Sequence, residues 1–145
     1  MTLKQVVDTI KRLGESHEMI QTTWNGAVID RLAIGDVKYP LFTFDTTGGS
    51  LSIGSMTIPF QMFFIDRLVA DLENEREIQS QMLSIAQDII AQLRYPGFEF
   101  TVGNSSDITF ITDSTPDLLA GVTARVLIDI PYAADRCQVP SDFIF

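Results

Sequence analysis

The stretch GVTARVLIDIP, residues 121–131, decides how the chain is read. Val122, Ala124, Val126, Ile128 and Ile130 recur at every second position, with Thr123, Arg125, Leu127 and Asp129 between them. A period of two is that of a β-strand with one face turned to an apolar core. Pro131 has no N–H to give to a ladder and marks the end of the run. The second face carries an arginine and an aspartate four residues apart, so it meets either water or another copy of the chain.

Further strands precede this one. Upstream, YPLFTFD (39–45) sets Leu41, Thr43 and Asp45 opposite to Phe42 and Phe44, and SMTIPFQMFFID (55–66) alternates Met56, Ile58, Phe60, Met62 and Phe64. The segment TTGGS between them places Gly48-Gly49 where a hairpin turn is expected. Pro59 inside the second run predicts an edge or a bulge at that point. Downstream of residue 95, FEFTV (98–102) and DITFITD (107–113) precede the opening stretch, separated by polar turn clusters.

Two helices are legible. In residues 3–13, Leu3, Val6, Val7, Ile10 and Leu13 share one face, with Lys4, Asp8, Lys11 and Arg12 on the other. Thr2 with Gln5 matches a capping box, and Gly14 is the expected stop. The longer helix spans 75–94, where Ile78, Met82, Ile85, Ile89 and Leu93 recur at helical spacing. Asn74 and Glu77 read as a cap and its partner, and Glu73, Glu75 and Glu77 favour the positive end of the helix dipole. Residues 15–38 have weak periodicity, hold Trp24 beside the turn signal Asn25-Gly26, and read as a long connection with one short strand. The expected fold class is α+β, a mainly antiparallel sheet of four to five strands with two principal helices. All of residues 1–145 form a single domain in this reading.

Composition narrows the function. The 145 residues are 46% hydrophobic and 20% charged, a globular balance, with a net charge of −9. So acidic a chain is a poor match to nucleic acid as a bound partner, because affinity for phosphates rests on clustered Lys and Arg. An acidic wall still suits DNA that must pass without sticking. The N-terminal residues carry charges every few positions, and no window reaches the apolar run of about 18 residues that a membrane span needs. The expectation is a soluble protein made in a cytoplasm, with no membrane partner.

Candidate chemistry is sparse. His17 is the only histidine and Cys137 the only cysteine, so a nucleophile–base relay has a single base to draw on and a disulfide within the chain is excluded. His17 reads as a solvated side chain, and Cys137, beside Arg136, as a small packed hydrophobe. Asp66 with Asp71, Asp113 with Asp117, and Glu73-Glu75-Glu77 are the carboxylate groupings that acid–base or metal chemistry would use. The glutamates stand at i, i+2 spacing, which does not converge on one helix face. GGSLSIG (48–54) lacks the lysine and following helix of a phosphate-binding loop. No cofactor or metal is expected.

The order and spacing of YPLFTF, MTIPFQMFFID, NEREIQSQMLSIAQDIIAQL, DLLAGVTARVLIDIPY and CQVP, from Tyr39 to Pro140, resemble the tail-completion or tail-terminator proteins of tailed bacteriophages. The neck and tail ring proteins of crAss-like phages are the nearest type, and residues 15–38 depart from the pattern. The resemblance implies a small α+β subunit, with helices packed on one side of its sheet, that assembles as a closed homo-oligomeric ring of six or twelve. Such a ring is a structural, non-enzymatic part of the virion. It sits at the neck or tail, touches portal, adaptor or tail proteins, and passes DNA only as cargo. For this chain, Thr123, Arg125 and Asp129 are then the expected subunit interface. Gly48 and Gly49, with Phe143 and Phe145 of the apolar terminus, are the expected ring-to-ring contacts. The rival readings are a monomeric phage assembly factor or binding module not retained in the virion, and an enzyme using Asp66, Asp113 or Asp117.

Overall fold

In a computed structural model of the protein, residues 1–68, 74–113 and 118–132 are described, together with Pro140 and Asp142. The elements run α1 (Leu3–Ser16), β1 (Thr22–Asn25), α2 (Val28–Ile34), β2 (Leu41–Asp45), β3 (Ser50–Leu51), β4 (Ser55–Arg67), α3 (Glu75–Leu93), β5 (Thr101–Val102), β6 (Asp107–Asp113) and β7 (Leu119–Pro131). The class is α+β, as the alternation and helical periods predict.

β4 and β7 form the centre of the sheet, paired antiparallel from Ser55↔Pro131 to Arg67↔Leu119. β2 and β3 follow each other along the free side of β4, and β6 and β5 do the same along β7. Seven strand segments therefore fill five positions across the sheet, which reconciles them with the four to five strands expected. One pair departs from the antiparallel rule: β1, within the segment read as a connection, runs parallel to β2.

The even positions of β4 and β7 face the helices. Phe60, Met62, Phe64, Val122, Ala124, Val126 and Ile128 are buried with Val6 and Ile10 of α1 and with Ile78, Met82, Ile85, Ile89 and Leu93 of α3 in one cluster. Phe42 stacks on Phe64 with ring centroids 4.7 Å apart, and on Phe44 at 5.4 Å. Each helix lays its apolar stripe on the sheet because that is where the stripe leaves water.

One local expectation holds and several are corrected. The capping box forms, with Gln5 N–H donating to Thr2 Oγ1 at 3.2 Å and Thr2 N–H to Gln5 Oε1 at 2.8 Å. Gly14 does not stop α1, which continues to Ser16. The glycine is there for clearance: a Cβ would stand 2.6 Å from Phe42 Cδ2 and 2.8 Å from Thr23. At α3, Asn74 is the N-cap residue, but its side chain makes no capping bond. The 15–38 segment contains α2, a seven-residue helix of about two turns with no fully buried residue, too short for its apolar Val28, Ile29, Leu32, Ala33 and Ile34 to show a clear helical period. The expected strand 98–102 shrinks to Thr101–Val102, because Phe98 and Phe100 stack at 5.1 Å in a tight bend after Tyr95.

The hairpin is also rearranged. β2 and β4 pair as expected, but the chain does not reverse at Gly48-Gly49. It bulges there, resumes as β3 along β4, and turns at Ile53-Gly54, where Ser52 N–H donates to Ser55 O at 2.8 Å. Gly49 is required at the bulge, since a Cβ would lie 2.6 Å from the carbonyl oxygen of Thr57. Pro59 faces this interruption. Its carbonyl accepts from Thr46 Oγ1 at 2.7 Å, so its backbone polar side points into the gap between β2 and β3, where no strand asks for the missing N–H.

At Gly121 the backbones of β4 and β7 come so close that a Cβ would overlap the Phe64 carbonyl oxygen. Gly121→Ala is expected to lower unfolding stability by about 2–3 kcal/mol through overpacking. Gly48→Ala, where a Cβ meets nothing within 4 Å, is expected to change it by less than about 0.5 kcal/mol. Urea unfolding of the two variants checks both.

Candidate functional site

The second face of the sheet, built from the odd positions of β4 and β7, is not covered by α1 and α3. The register aligns Asp45, Gln61, Arg125 and Asp107 as one cross-strand row, and Trp24, Thr43, Phe63, Thr123 and Thr109 as the next. Near β2 this face is closed, since Leu41 and Thr43 are as fully buried as Phe42 and Phe44. Toward β7 and β6 it opens. Arg125 is exposed, and among the described residues its guanidinium has no hydrogen-bond or ion-pair partner.

Beside Arg125 lies a groove of about 560 Å³. Its floor is Pro59 and Phe63, one wall is Val28 and Ile29 at the start of α2, and Asp45 and Arg125 stand on the rim. The start of α2 is held in place by Gly26, whose N–H donates to Phe44 O at 2.9 Å and whose φ of +147° lets the chain turn out of β1 over the sheet. An apolar floor with a few polar groups at the rim is the make-up of a binding surface.

The three residues expected at a subunit interface separate. Arg125 is exposed, Thr123 is buried between Phe63 and Thr109, and Asp129 is half-buried with its carboxylate accepting from the Thr57 hydroxyl. Among the described residues the polar face of β7 thus presents one unpartnered charge, with the aspartate engaged by Thr57. Gly48 and Gly49 sit on the exposed bulge, and the reversal expected of them is made by Ile53-Gly54. Phe143 and Phe145 lie outside the described residues, as do Asp71, Glu73, Asp117, Arg136 and Cys137.

Two of the remaining candidates, His17 and Glu75, serve as ties within the fold. His17 Nδ1 accepts from Met19 N–H at 3.1 Å, which leaves Nε2 to donate to Asp88 Oδ2 at 2.9 Å and link the end of α1 to α3. Glu75 accepts from Thr112 Oγ1 at 2.8 Å, while the buried Gln79 donates to Thr112 Oγ1 and to Ile111 O, fastening α3 to β6. Asp66 accepts from Arg67 N–H, and Glu77 is exposed on α3. Among the described residues there is no group of three or more His, Cys, Asp or Glu placed to hold a metal ion. No helix of the described residues is long and apolar enough to cross a membrane.

Two surface features escaped sequence reading. The turn at the end of β3 and β4 carries Leu51 and Ile53 outward, 67% and 94% exposed. Edge strand β6 is exposed along most of its length, with Phe110 beneath the Arg76 guanidinium at 5.8 Å. The signal for the first was present: residues 46–65 contain no ionisable side chain in a chain of net charge −9. Compared with protein-family models and with curated proteins, the chain finds no match.

Arg125→Ala is expected to shift stability by less than about 0.5 kcal/mol, because no bond within the described fold is lost. Thr57→Val is expected to cost about 1–2 kcal/mol, because it leaves the half-buried Asp129 carboxylate without its hydroxyl donor. Denaturant midpoints at neutral pH separate the two.

Proposed function

We propose that the protein is a structural subunit of a ring at the neck or tail of a tailed bacteriophage, joining the head side to the tail and lining the channel through which DNA passes. The observation that carries the reading is the division of the sheet into one closed face and one partly open face, with Arg125 exposed on it and without a partner among the described residues. A ring subunit needs a firm body and two unlike surfaces that meet on successive copies, with closure by rotation. The β4–β7 ladder with its helices supplies the body. The open face, and the tip that projects beyond the end of β7, supply surfaces of different character. The resemblance of residues 39–140 to tail-completion proteins gives the reading its biological setting, in which the ring is built in the host cytoplasm and kept in the virion, without catalytic activity or cofactor. The charge of −9 fits a channel wall that repels the DNA backbone and leaves it free to slide.

Native mass spectrometry tests the ring, first on the isolated protein and then after addition of particles that lack it. The expected result is a closed species of six or twelve subunits, or stoichiometric uptake at one place on the particle. Arg125→Glu is expected to weaken subunit association at least tenfold while the circular dichroism spectrum stays that of the folded chain. A chain that neither associates nor is taken up by particles is instead a free assembly factor or binding module.

A further inference from the structure

We propose that the β3–β4 tip of one copy seats in the groove beside Arg125 of the next copy, so that the ring closes through a repeated tip-into-groove contact. The inference rests on the ring reading above and deepens it by naming the two surfaces that meet. It assigns Leu51 and Ile53 a contact within the ring, whereas the expected ring-to-ring contacts were Gly48 and Gly49 of the bulge with Phe143 and Phe145.

The tip has the character of a buried element and the placement of an exposed one. The turn Ser52-Ile53-Gly54-Ser55 has the usual Ser and Gly at three positions, and the apolar Ile53 stands at the remaining one, with Leu51 close by on β3. Single exposed apolar residues on a surface need no explanation. Here two occur together at the end of a ribbon, 67% and 94% exposed. They belong to the segment 46–65, which has no ionisable residue. Two copies of a chain with net charge −9 repel each other. An uncharged tip is therefore the part of one copy that approaches another at least electrostatic cost.

The groove has the complementary character. Pro59, Phe63, Val28 and Ile29 offer apolar surface. On the rim the Asp45 carboxylate accepts from Thr46 N–H, while the guanidinium of Arg125 has no partner among the described residues. The tip brings carbonyl and serine hydroxyl oxygens, from Ser50 and Ser52, which accept from such a donor without needing a countercharge. The contact has to be made between copies. From Ser55 at the tip to Pro59 at the groove, the chain is the extended strand β4, about 13 Å long at strand rise. β4 is held straight by its pairing with β7, so Ile53 cannot fold back onto Pro59 of its own chain. Tip and groove are unlike patches, which makes the contact heterologous and suited to a ring. A tip of two large side chains is smaller than a standard stable interface. Single contacts are then weak, and the closed ring gains from making all of them at once.

The experiment uses two full-length variants chosen at exposed positions. Ile53→Asp spoils the tip and keeps the groove, while Ile29→Glu spoils the groove and keeps the tip. Sedimentation velocity is recorded over a concentration series up to millimolar, for wild type, each variant alone and an equimolar mixture, with circular dichroism as the check on folding. The expected result is concentration-dependent association of wild type beyond the dimer, monomer for each variant alone, and a dimer for the mixture. In that dimer the one good tip meets the one good groove and growth stops. Rings formed by either variant as readily as by wild type would overturn the tip–groove contact and leave the ring reading standing. A mixture that stays monomeric while wild type associates overturns it equally. Wild type that remains monomeric throughout the series overturns the contact as well, and uptake onto particles then decides the ring reading separately.

Discussion

β4 and β7 are separated in sequence by α3 and two short strands, yet they pair residue for residue over the full thirteen of each. Bringing such distant segments together costs loop-closure entropy before any contact is rewarded. The return comes from cross-strand pairs on the core face: Phe64 with Val122, Met62 with Ala124, Phe60 with Val126, and Ile58 with Ile128. Large side chains of β4 oppose small or β-branched ones of β7, so the two strands fill one layer of the core together. At Gly121 the backbones approach to a distance that excludes any side chain. The helices pack on the surface this ladder creates, and every other strand pairs outward from it.

The unequal treatment of the two faces follows from that ladder. α1 and α3 have apolar stripes long enough to cover one side, while α2 is only seven residues long and fully buries none of them. Part of the second face therefore remains open, and the arginine on it keeps its charge in contact with water. Asp129, four residues along the same strand, is engaged by Thr57, which leaves Arg125 as the charge this face of β7 can present to a partner. The same ladder, continued by β3, carries the tip past Pro131 into solvent. A firm sheet with an open groove at one place and an apolar projection at another is a body suited to repeating contacts.

Much of the fold was legible because its signals are local. The period of two in residues 121–131 and 55–66, and the helical spacing from Ile78 to Leu93, depend only on which side chains leave water. The capping box of Thr2 and Gln5 is local as well, and it formed as the sequence indicates. Less of the candidate site could be read. Alternation put Thr123, Arg125 and Asp129 on one face correctly, yet whether each is buried, free or bonded depends on Phe63, Thr109 and Thr57, which arrive from other strands. The hairpin turn was misplaced for a related reason. Gly48-Gly49 has the composition of a turn, but the demand for glycine there comes from the backbone of Thr57 across the ladder.

The sequence by itself determined the class of the fold, the core faces of the principal elements and the charge-free character of residues 46–65, because each is a property of neighbours along the chain. Only the tertiary structure decided that β1 runs parallel to β2, that α1 continues through Gly14 against Phe42, and that the chain reverses at Ile53-Gly54. It also decided that α2 meets β4 and Arg125 around a groove. These features depend on which distant segments come into van der Waals contact, and strand register and packing set that only once the whole core has closed.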